Sequence, residues 1–304
     1  MSENGSRIAI TGATGLVGSA LTAALSGQGH HVIPLRRGTS QPDGSDVFWD
    51  PTGQGIVDPK ALGEIDTVVH LAGENIATGR WTDAQKQKIR ASRVDATRNL
   101  VRSFANLEKR PSTFVCASAI GFYGNRGSEE MTESSAPGSG FLPEVCRDWE
   151  AAAAEAEELG IRVVRVRIGV VLSTQGGALA KMLTPFKLCV GGIVGNGKQY
   201  WSWIGLTDLI RILQEAITNT SLHGAVNAVS PNTVTNREFT KVLGKVLRRP
   251  TLFPLPAFVA KILLGEMADD LLLGSTRVVP EVLNQSGFEF QQADLEACLR
   301  HELS

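Results

Sequence analysis

The sequence has few tyrosines, no paired cysteines and no long apolar run. Its four cysteines, Cys116, Cys146, Cys189 and Cys298, lie far apart and form no C-x-x-C motif. This spacing indicates neither a disulfide framework nor a zinc site, so no metal centre is expected. The N-terminus lacks a signal-peptide core, and no apolar stretch is long enough to span a bilayer. We therefore expect a cytoplasmic protein without membrane insertion.

Runs of like charge are also absent. The formal net charge is -1, and nowhere are five consecutive residues Lys or Arg. The sequence thus gives no electrostatic indication of nucleic acid or of an anionic membrane surface as a partner. The expected partner is a small-molecule substrate, and oligomerisation is left open. With 42% hydrophobic residues among 304, the chain can form one large domain or one domain with a smaller appendage.

Short β-branched runs alternate with segments of helical periodicity in the first part of the chain. The runs are RIAI, HVIPL, DTVVHLA, TFVCAS and RVVRVRIG, and the helical segments include one near 15–27 and a long polar-faced one near 82–109. This alternation predicts an α/β fold with a doubly wound parallel sheet. Residues 1–172 are interpreted as a nucleotide-binding domain, to which later segments could return.

The pattern loosens after residue 172. Residues 173–304 are interpreted as mainly a smaller C-terminal substrate domain that forms the far wall of a cleft. Helices are predicted from about 236, over the LLLGSTRVV stretch and near 293–302.

The strongest local motif is ITGATGLVG, which lies between the first strand and the first helix. Gly12 permits a tight turn, Gly15 lets backbone amides approach a pyrophosphate, and Gly18 lets the helix pack closely on the strand. Thr14 and Leu16 belong to the same turn and are further cofactor-side candidates. The motif predicts dinucleotide binding at the helix N-terminus, the alternative being a glycine-rich turn without a ligand.

Two arginines stand where a site that prefers NAD would usually carry an Asp or Glu. Arg36 and Arg37 follow the second predicted strand. A carboxylate there would repel a 2′-phosphate, whereas a guanidinium can bind it through a charge-assisted fork. The sequence therefore favours NADP over NAD, although two solvated loop arginines would look the same.

With TGATGLVG, DTVVHLAGENI and SAIGFYGN in this order, the chain resembles the extended short-chain dehydrogenase/reductase superfamily, the group of epimerases and dehydratases. Further motifs resemble its atypical epimerase-family branch, which is often labelled "cell division inhibitor" and has its own C-terminal region, here about 249–304. These motifs are GENI with RW, SR, VCRDWEAAA, RIGVVL, PNTVTNREF and GEMADDLLLGSTRVVP. One departure is Gly205, where that branch usually has a histidine.

The resemblance implies a Rossmann-type sheet with a small substrate domain and bound NADP. It places Leu71 and Ala72 beside the adenosine and ribose, and Arg93 on the cofactor side of the long helix. Val171 is expected to approach the nicotinamide.

The tyrosine and lysine that act in the wider superfamily are missing. They lie four residues apart on one helix face, yet Tyr123 is followed four residues later by Gly127 and Tyr200 by Ile204, and the chain has only two tyrosines. The corresponding helix positions are either Val145 and Trp149 or Cys146 and Glu150, depending on a one-residue choice of register.

Three residues are candidates for the missing proton transfer: Tyr123, Ser118 and Glu150. The usual serine position falls on Ala119, one residue after Ser118. Cys146 is a weaker candidate, because a buried thiol beside a carboxylate stays protonated. Each of these residues could instead have a structural role.

Other polar and aromatic side chains have two readings. Tyr200, Trp201 and Trp203 could line a substrate wall or pack in a satellite core. Asn75 and Arg80, in the loop after the DTVVHLA strand, could hold a substrate or remain solvated. His70 is interpreted as a core histidine.

Two functions are compatible with these features. The favoured one is an NADP-dependent oxidoreductase or epimerase-like enzyme that acts on a small polar substrate with an atypical active site. The alternative is a non-catalytic protein that senses NADPH and acts through a protein partner. The intact cleft favours the first, and the missing Tyr/Lys pair favours the second.

Overall fold

The computed structural model describes residues 5–38, 47–53 and 55–304. The strands are β1 Arg7–Thr11, β2 His31–Arg37, β3 Val47–Asp50, β4 Gly55–Ile56, β5 Thr67–His70, β6 Thr113–Ala119, β7 Glu130–Met131, β8 Arg162–Ile168, β9 Val170–Leu172, β10 Tyr200–Trp201, β11 Trp203–Gly205, β12 Gly224–Ala228, β13 Val234–Thr235 and β14 Arg277–Val278. The helices are α1 Leu16–Gly27, α2 Pro59–Leu62, α3 Asp83–Ala91, α4 Val94–Ser103, α5 Phe141–Ala154, α6 Gly177–Lys187, α7 Leu206–Thr218, α8 Asn236–Leu247, α9 Ala257–Leu264, α10 Glu266–Ala268, α11 Glu281–Gln285 and α12 Leu295–Glu302.

The central sheet has the strand order β12-β8-β6-β5-β1-β2-β3-β4. Its strands are parallel except for the β3/β4 pair. Helices α1 and α7 cover one face and α4 and α5 the other, each over a buried apolar cluster. The expected doubly wound parallel sheet is confirmed. It could be predicted from the sequence because strands that are buried on both faces consist of continuous apolar runs.

The C-terminal part both joins the sheet and extends beyond it. Residues 206–228 supply α7 and β12, and Leu283 is fully buried in the core beneath α1 and α7. The remainder packs around a separate apolar cluster with α6, α8 and α12. Small two-stranded ladders, β9/β11, β10/β13 and β7/β14, connect the two regions.

Two predicted helices differ from the structure. The segment near 82–109 is divided at Ser92, whose hydroxyl donates to the Ile89 carbonyl and accepts the Glu74 N–H at 3.0 Å. This local side-chain bonding ends α3 and lets α4 start anew after Arg93. In the LLLGSTRVV stretch, a π-helical turn over Asp269–Leu273 is followed by strand β14, because Gly274 is extended and Val278 pairs with Met131.

Candidate functional site

The glycine turn after β1 has no room for a side chain at Gly12 or Gly18. Gly12 has a φ of +71°, and a Cβ there would lie 2.9 Å from the Ala72 nitrogen. A Cβ on Gly18 would overlap the Gly12 carbonyl oxygen. Gly15 is the N-cap of α1, and no side chain of the described residues caps that helix end. The N–H groups of the first turn of α1 are therefore available to the pyrophosphate of a dinucleotide.

The ends of β1 and β5 are joined through Thr11. The Leu71 N–H donates to the Thr11 carbonyl at 3.2 Å, and the Ala72 N–H donates to the Thr11 hydroxyl at 3.3 Å. Leu71 and Ala72 are half-buried at this edge of the sheet. The structure thus brings these two residues beside the glycine turn, as the sequence predicts.

His70 lies one residue earlier and is fully buried, which confirms its interpretation as a core residue. Its Nδ1 is 2.6 Å from the Thr11 hydroxyl, and its ring meets the Trp49 ring edge-on at 5.4 Å. Burial, with a smaller contribution from the charge of Arg93, lowers the pKa of His70 to about 3. The side chain is neutral at physiological pH and is not a proton donor.

Arg36 and Arg37 lie at the end of β2, next to the glycine turn. Leu35 is paired with Thr11 across the β1/β2 ladder, so the two arginines extend just past the end of β1. Both side chains are exposed. Their position matches that expected for residues that contact the adenosine ribose.

Arg93 occupies the break between α3 and α4. Its guanidinium stacks on the Trp149 ring at 5.3 Å and donates to the Ile89 carbonyl at 3.3 Å. Burial lowers its pKa, while the Cys146 thiol and Glu74 oppose this shift. Within the described residues no carboxylate lies within ion-pair distance of Arg93. Its guanidinium can therefore donate hydrogen bonds to an anionic or carbonyl group of a ligand.

Val171 and Leu16 both lie close to Gly177, at the start of α6. Both residues pack at the margin of the same apolar cluster. A Cβ on Gly177 would lie 3.5 Å from the Leu16 side chain and 3.7 Å from the Val171 carbonyl. The turn that starts α1 is therefore covered on this side by the start of α6.

Helix α5 directs Cys146 and Glu150, rather than Val145 and Trp149, towards the end of β6. Val145 and Trp149 pack in other apolar clusters. The Cys146 thiol lies near Gly121, and a Cβ there would be 3.7 Å from its sulfur. Burial, together with the charge of Glu150, raises the pKa of Cys146 to about 12, so the thiol is protonated and unreactive.

Glu150 is buried in an ion pair with Arg167. The Arg167 Nε and Nη2 atoms each donate to a different Glu150 oxygen at 2.8 Å, and the Ser118 hydroxyl donates to Oε1 at 2.7 Å. All three side chains are less than a tenth exposed. Burial lowers the pKa of Arg167, but the hydrogen bonds and charge of Glu150 outweigh this and leave the pKa raised.

Tyr123 is enclosed in the same network. Its side chain is fully buried, and its hydroxyl donates to Asn227 Oδ1 at 2.7 Å and accepts from Arg167 Nη1 at 2.8 Å. Burial raises its pKa to about 12. The structure does not bring Tyr123 to an open cleft, so its placement favours the structural alternative over an acid/base role.

The network continues into the C-terminal part. The Glu133 carboxylate accepts the backbone N–H groups of Asn227, Glu281 and Val282 at 2.9 to 3.3 Å. The Asn227 amide donates to the Val279 carbonyl at 2.9 Å. The network therefore links β8, α5 and the segment around α11.

Sequence reasoning missed Arg167, Asn227 and Glu133. A signal existed for Arg167, since RVVRVRIG is a central strand, and a charge within such a strand needs a buried partner. The sequence gives no such signal for Asn227 or Glu133, because their hydrogen-bond partners are distant in the chain.

The aromatic cluster and the loop after β5 are used mainly for packing. Trp201 and Trp203 are buried in the C-terminal cluster, while Tyr200 is half-buried. The Arg80 guanidinium donates to the carbonyls of Ile262 and Leu263 at the end of α9. Asn75 accepts the Ala77 N–H at 2.9 Å and shapes its own loop.

In the described ranges, no three or more His, Cys, Asp or Glu side chains are grouped as ligands for a metal ion. Among the same residues, no helix combines the length and apolar character needed to cross a bilayer.

The sheet and its glycine turn match a known family model, described as the NAD dependent epimerase/dehydratase family, over residues 8–228. The chain belongs to this family. A second model, a domain of unknown function (DUF1731), matches residues 255–302 of this epimerase-family chain. The resemblance found from the motifs is thus confirmed.

Similar proteins include several epimerase family proteins. Mb2239 from Mycobacterium bovis is 43% identical over 93% of this chain and 93% of its own length. YfhF from Bacillus subtilis is 38% identical over 96% of each. The crystal structure of human epimerase family protein SDR39U1 (isoform 2) with NADPH has a TM-score of 0.87 and 32% identity, covering 97% of this chain and 98% of that one.

Proposed function

We propose that this chain binds NADP(H) and uses it to oxidise or reduce a small polar substrate in the cleft at the carboxyl edge of the sheet. The observation that carries the proposal is the uncapped glycine turn from Gly12 to Gly18, with Arg36 and Arg37 beside it. The similarity to human SDR39U1, which was crystallised with NADPH, supports it. When bound, the cofactor would supply or accept a hydride.

Each residue of the cleft has a distinct role in this proposal. The N–H groups at the start of α1 hold the pyrophosphate, and Arg36 and Arg37 hold the 2′-phosphate. Leu71 and Ala72 flank the adenosine and ribose. Leu16 and Val171 exclude water from the nicotinamide side.

Arg93 is the residue best placed to act on a substrate. Its guanidinium interacts electrostatically with the Cys146 thiol, which occupies one of the two helix positions that could correspond to the tyrosine of the wider superfamily. It can donate a hydrogen bond to an oxygen that gains negative charge. Because it remains protonated, it stabilises that oxygen without providing the proton, which then comes from solvent.

The buried network favours a second candidate function. Ser118 and Glu150 are bonded to each other, and Tyr123 is fully enclosed, so none of the three is free to exchange a proton with a substrate. A chain that binds NADPH without turnover and presents its bound state to a partner protein would have these same properties.

Binding and coenzyme preference can be measured by fluorescence titration with NADPH and NADH. We expect NADPH to bind more tightly, and the double variant Arg36→Asp/Arg37→Asp to lose about tenfold or more of NADPH affinity, because charge-assisted hydrogen bonds to the phosphate are lost. Gly18→Ala should also weaken binding, since its Cβ overlaps the Gly12 carbonyl. Gly27→Ala in the same helix has open space and should bind normally. Unchanged affinity in the first two variants would refute the site.

Turnover distinguishes the two functions. A panel of carbonyl compounds and sugar nucleotides is screened for NADPH oxidation by the wild type and by Arg93→Met. Turnover that falls in Arg93→Met, while NADPH affinity changes by less, supports the enzyme. Tight NADPH binding with no turnover across the panel supports the sensor.

A further inference from the structure

The large apolar side chains that the described residues leave exposed all belong to one region of the C-terminal part. They are 57 to 74% exposed: Leu188, Val190, Leu252, Phe253, Phe258, Ile262 and Leu263. Scattered single exposures are normal, but a group of large exposed side chains in one region indicates an interaction surface. We call these seven residues the exposed apolar surface.

The segments that carry this surface are in direct contact. The Leu255 N–H donates to the Ile193 carbonyl at 2.8 Å, and the Gly195 N–H donates to the Leu255 carbonyl at 2.9 Å. Gly192 lies so close to the Phe253 carbonyl that a Cβ would overlap it. Helix α9, with Phe258, begins two residues after Leu255. The segments that carry these residues thus form one connected region, which we call the patch.

The exposed apolar surface belongs to two stretches of the chain, and both contain basic residues and no acidic ones. Residues 173–207 include Lys181, Lys187 and Lys198 but no Asp or Glu, and residues 239–265 include Lys241, Lys245, Arg248, Arg249 and Lys261 but no Asp or Glu. This composition contrasts with the overall charge of -1.

Several of these cations have no carboxylate partner. Lys245 pairs with Glu296 and Lys261 with Asp269. Arg248 and Arg249 are exposed and make no ion pair with any part of the chain that the structure describes. The acidic residues that flank the second stretch, Glu238 and Glu266, have other partners: Glu238 accepts the Thr235 N–H, and Glu266 pairs with Lys86.

A recess with a guanidinium opens within the patch. It has a volume of about 330 Å³ and is lined by Leu252, Thr251, Asn196 and Arg237, among others. The exposed Arg237 donates to the Asn196 carbonyl at 3.0 Å, which fixes its side chain at this wall. The recess can accept an anionic group of the size of a phosphate beside an exposed leucine.

We propose that the exposed apolar surface docks on the surface of a bilayer that contains anionic lipid. Phe253, Leu252 and the outer side of α9 would enter the headgroup region, while Arg248 and Arg249 contact lipid phosphates. A second copy of the chain fits less well, because it would bring the cations of one surface against those of the other. Side chains that are more than half exposed also protrude, as interfacial anchors do.

This proposal differs from the expectation drawn from the sequence, which found no basic run. That expectation considered consecutive residues only. The structure brings together two acid-free stretches that are separated in sequence and that carry both the exposed apolar side chains and several cations.

The experiment is co-sedimentation of the full chain with vesicles of phosphatidylcholine alone or mixed with phosphatidylglycerol, at low and at physiological salt. We expect binding to the mixed vesicles, weakened by salt. Arg248→Gln/Arg249→Gln and Leu252→Ser/Phe253→Ser should each bind about tenfold or more weakly. Lys88→Gln/Arg102→Gln removes the same charge from exposed positions on α3 and α4 and should bind as the wild type does.

Light scattering and NADPH titration accompany the vesicle assay. All variants change exposed side chains and should keep their fold and NADPH affinity. No binding to anionic vesicles, equal binding to neutral ones, or equal binding by all variants would overturn the proposal. A dimer that dissociates in Leu252→Ser/Phe253→Ser would show that the occupant is a second copy, which also overturns it.

Discussion

At the scale of single residues, His70 shows how the fold fixes a protonation state. The Thr11 hydroxyl accepts the Ala72 N–H and also forms a hydrogen bond with His70 Nδ1 at 2.6 Å, so Nδ1 is the ring nitrogen held by the fold. Among the residues that the structure describes, Nε2 has no hydrogen-bond partner, and the ring lies against Trp49 and Phe114. A second proton would place a charge there without compensation.

The pH dependence of stability should reflect this. Because the folded pKa of about 3 lies below the ordinary 6.5, the unfolded chain binds a proton that the folded protein does not between these values. The free energy of unfolding should therefore fall as pH falls from 6.5, and at pH 4.5 His70 alone should cost about 2 to 3 kcal/mol. Urea unfolding at pH 7 and at pH 4.5 measures how much stability the wild type and His70→Asn each lose on acidification. The carboxylates titrate in both proteins, so their contribution cancels when the two losses are compared. Equal pH dependence in the two proteins would contradict the assignment.

At the scale of elements, the pairing of α5 with β8 replaces the usual Tyr/Lys arrangement. The helix that should present a tyrosine and a lysine instead presents a protonated thiol and a carboxylate neutralised by Arg167. The Arg167 guanidinium also lies over the Phe122 ring at 3.6 Å. Glu150 and Arg167 thus hold the helix on the sheet at the edge of the cleft.

Breaking this pair should destabilise the protein strongly. Arg167→Met leaves the Glu150 carboxylate buried without a partner, and we expect a loss of about 3 to 5 kcal/mol in the free energy of unfolding. The double variant Glu150→Gln/Arg167→Met should recover part of it. The matched control is Arg98→Met, which breaks the exposed Arg98–Glu155 pair between α4 and the end of α5 and should cost about 1 kcal/mol or less. Similar losses for Arg167→Met and Arg98→Met in urea titrations would refute the buried role.

At the scale of the whole molecule, the C-terminal part is integral to the sheet. Leu283, in α11, is fully buried in the same cluster as Ile8, Ile10 and Leu21. Strand β14 pairs with β7, and the Glu133 network joins α11 to β12. These contacts connect both ends of the chain within one core.

Unfolding should accordingly occur in one step. Leu283→Ala and Leu21→Ala should each lower the free energy of unfolding by about 2 to 5 kcal/mol and shift the same transition. Far-UV circular dichroism and tryptophan fluorescence in urea provide two probes, which should coincide for a single cooperative unit. Two separate transitions, with only one shifted by Leu283→Ala, would show that the C-terminal part unfolds independently.

The sequence by itself determined the parallel sheet, the glycine turn, the positions of Arg36 and Arg37 and the absence of a Tyr/Lys pair. These features depend on residues that are close in the chain, through the periodicity of apolar side chains and the steric freedom of glycine. They could therefore be predicted without knowledge of the neighbours.

Only the tertiary structure decided how Tyr123, Ser118 and Glu150 are used. Glu150 meets Arg167 from an adjacent strand, and Tyr123 bonds to Asn227, 104 residues further along the chain. The segments that carry the exposed Leu188 and Val190 and the exposed Leu252 and Phe253 likewise meet only in the folded chain. Burial and hydrogen-bond partners are properties of the packed molecule, because the same side chain is a proton donor in an open cleft and a structural residue in a closed core.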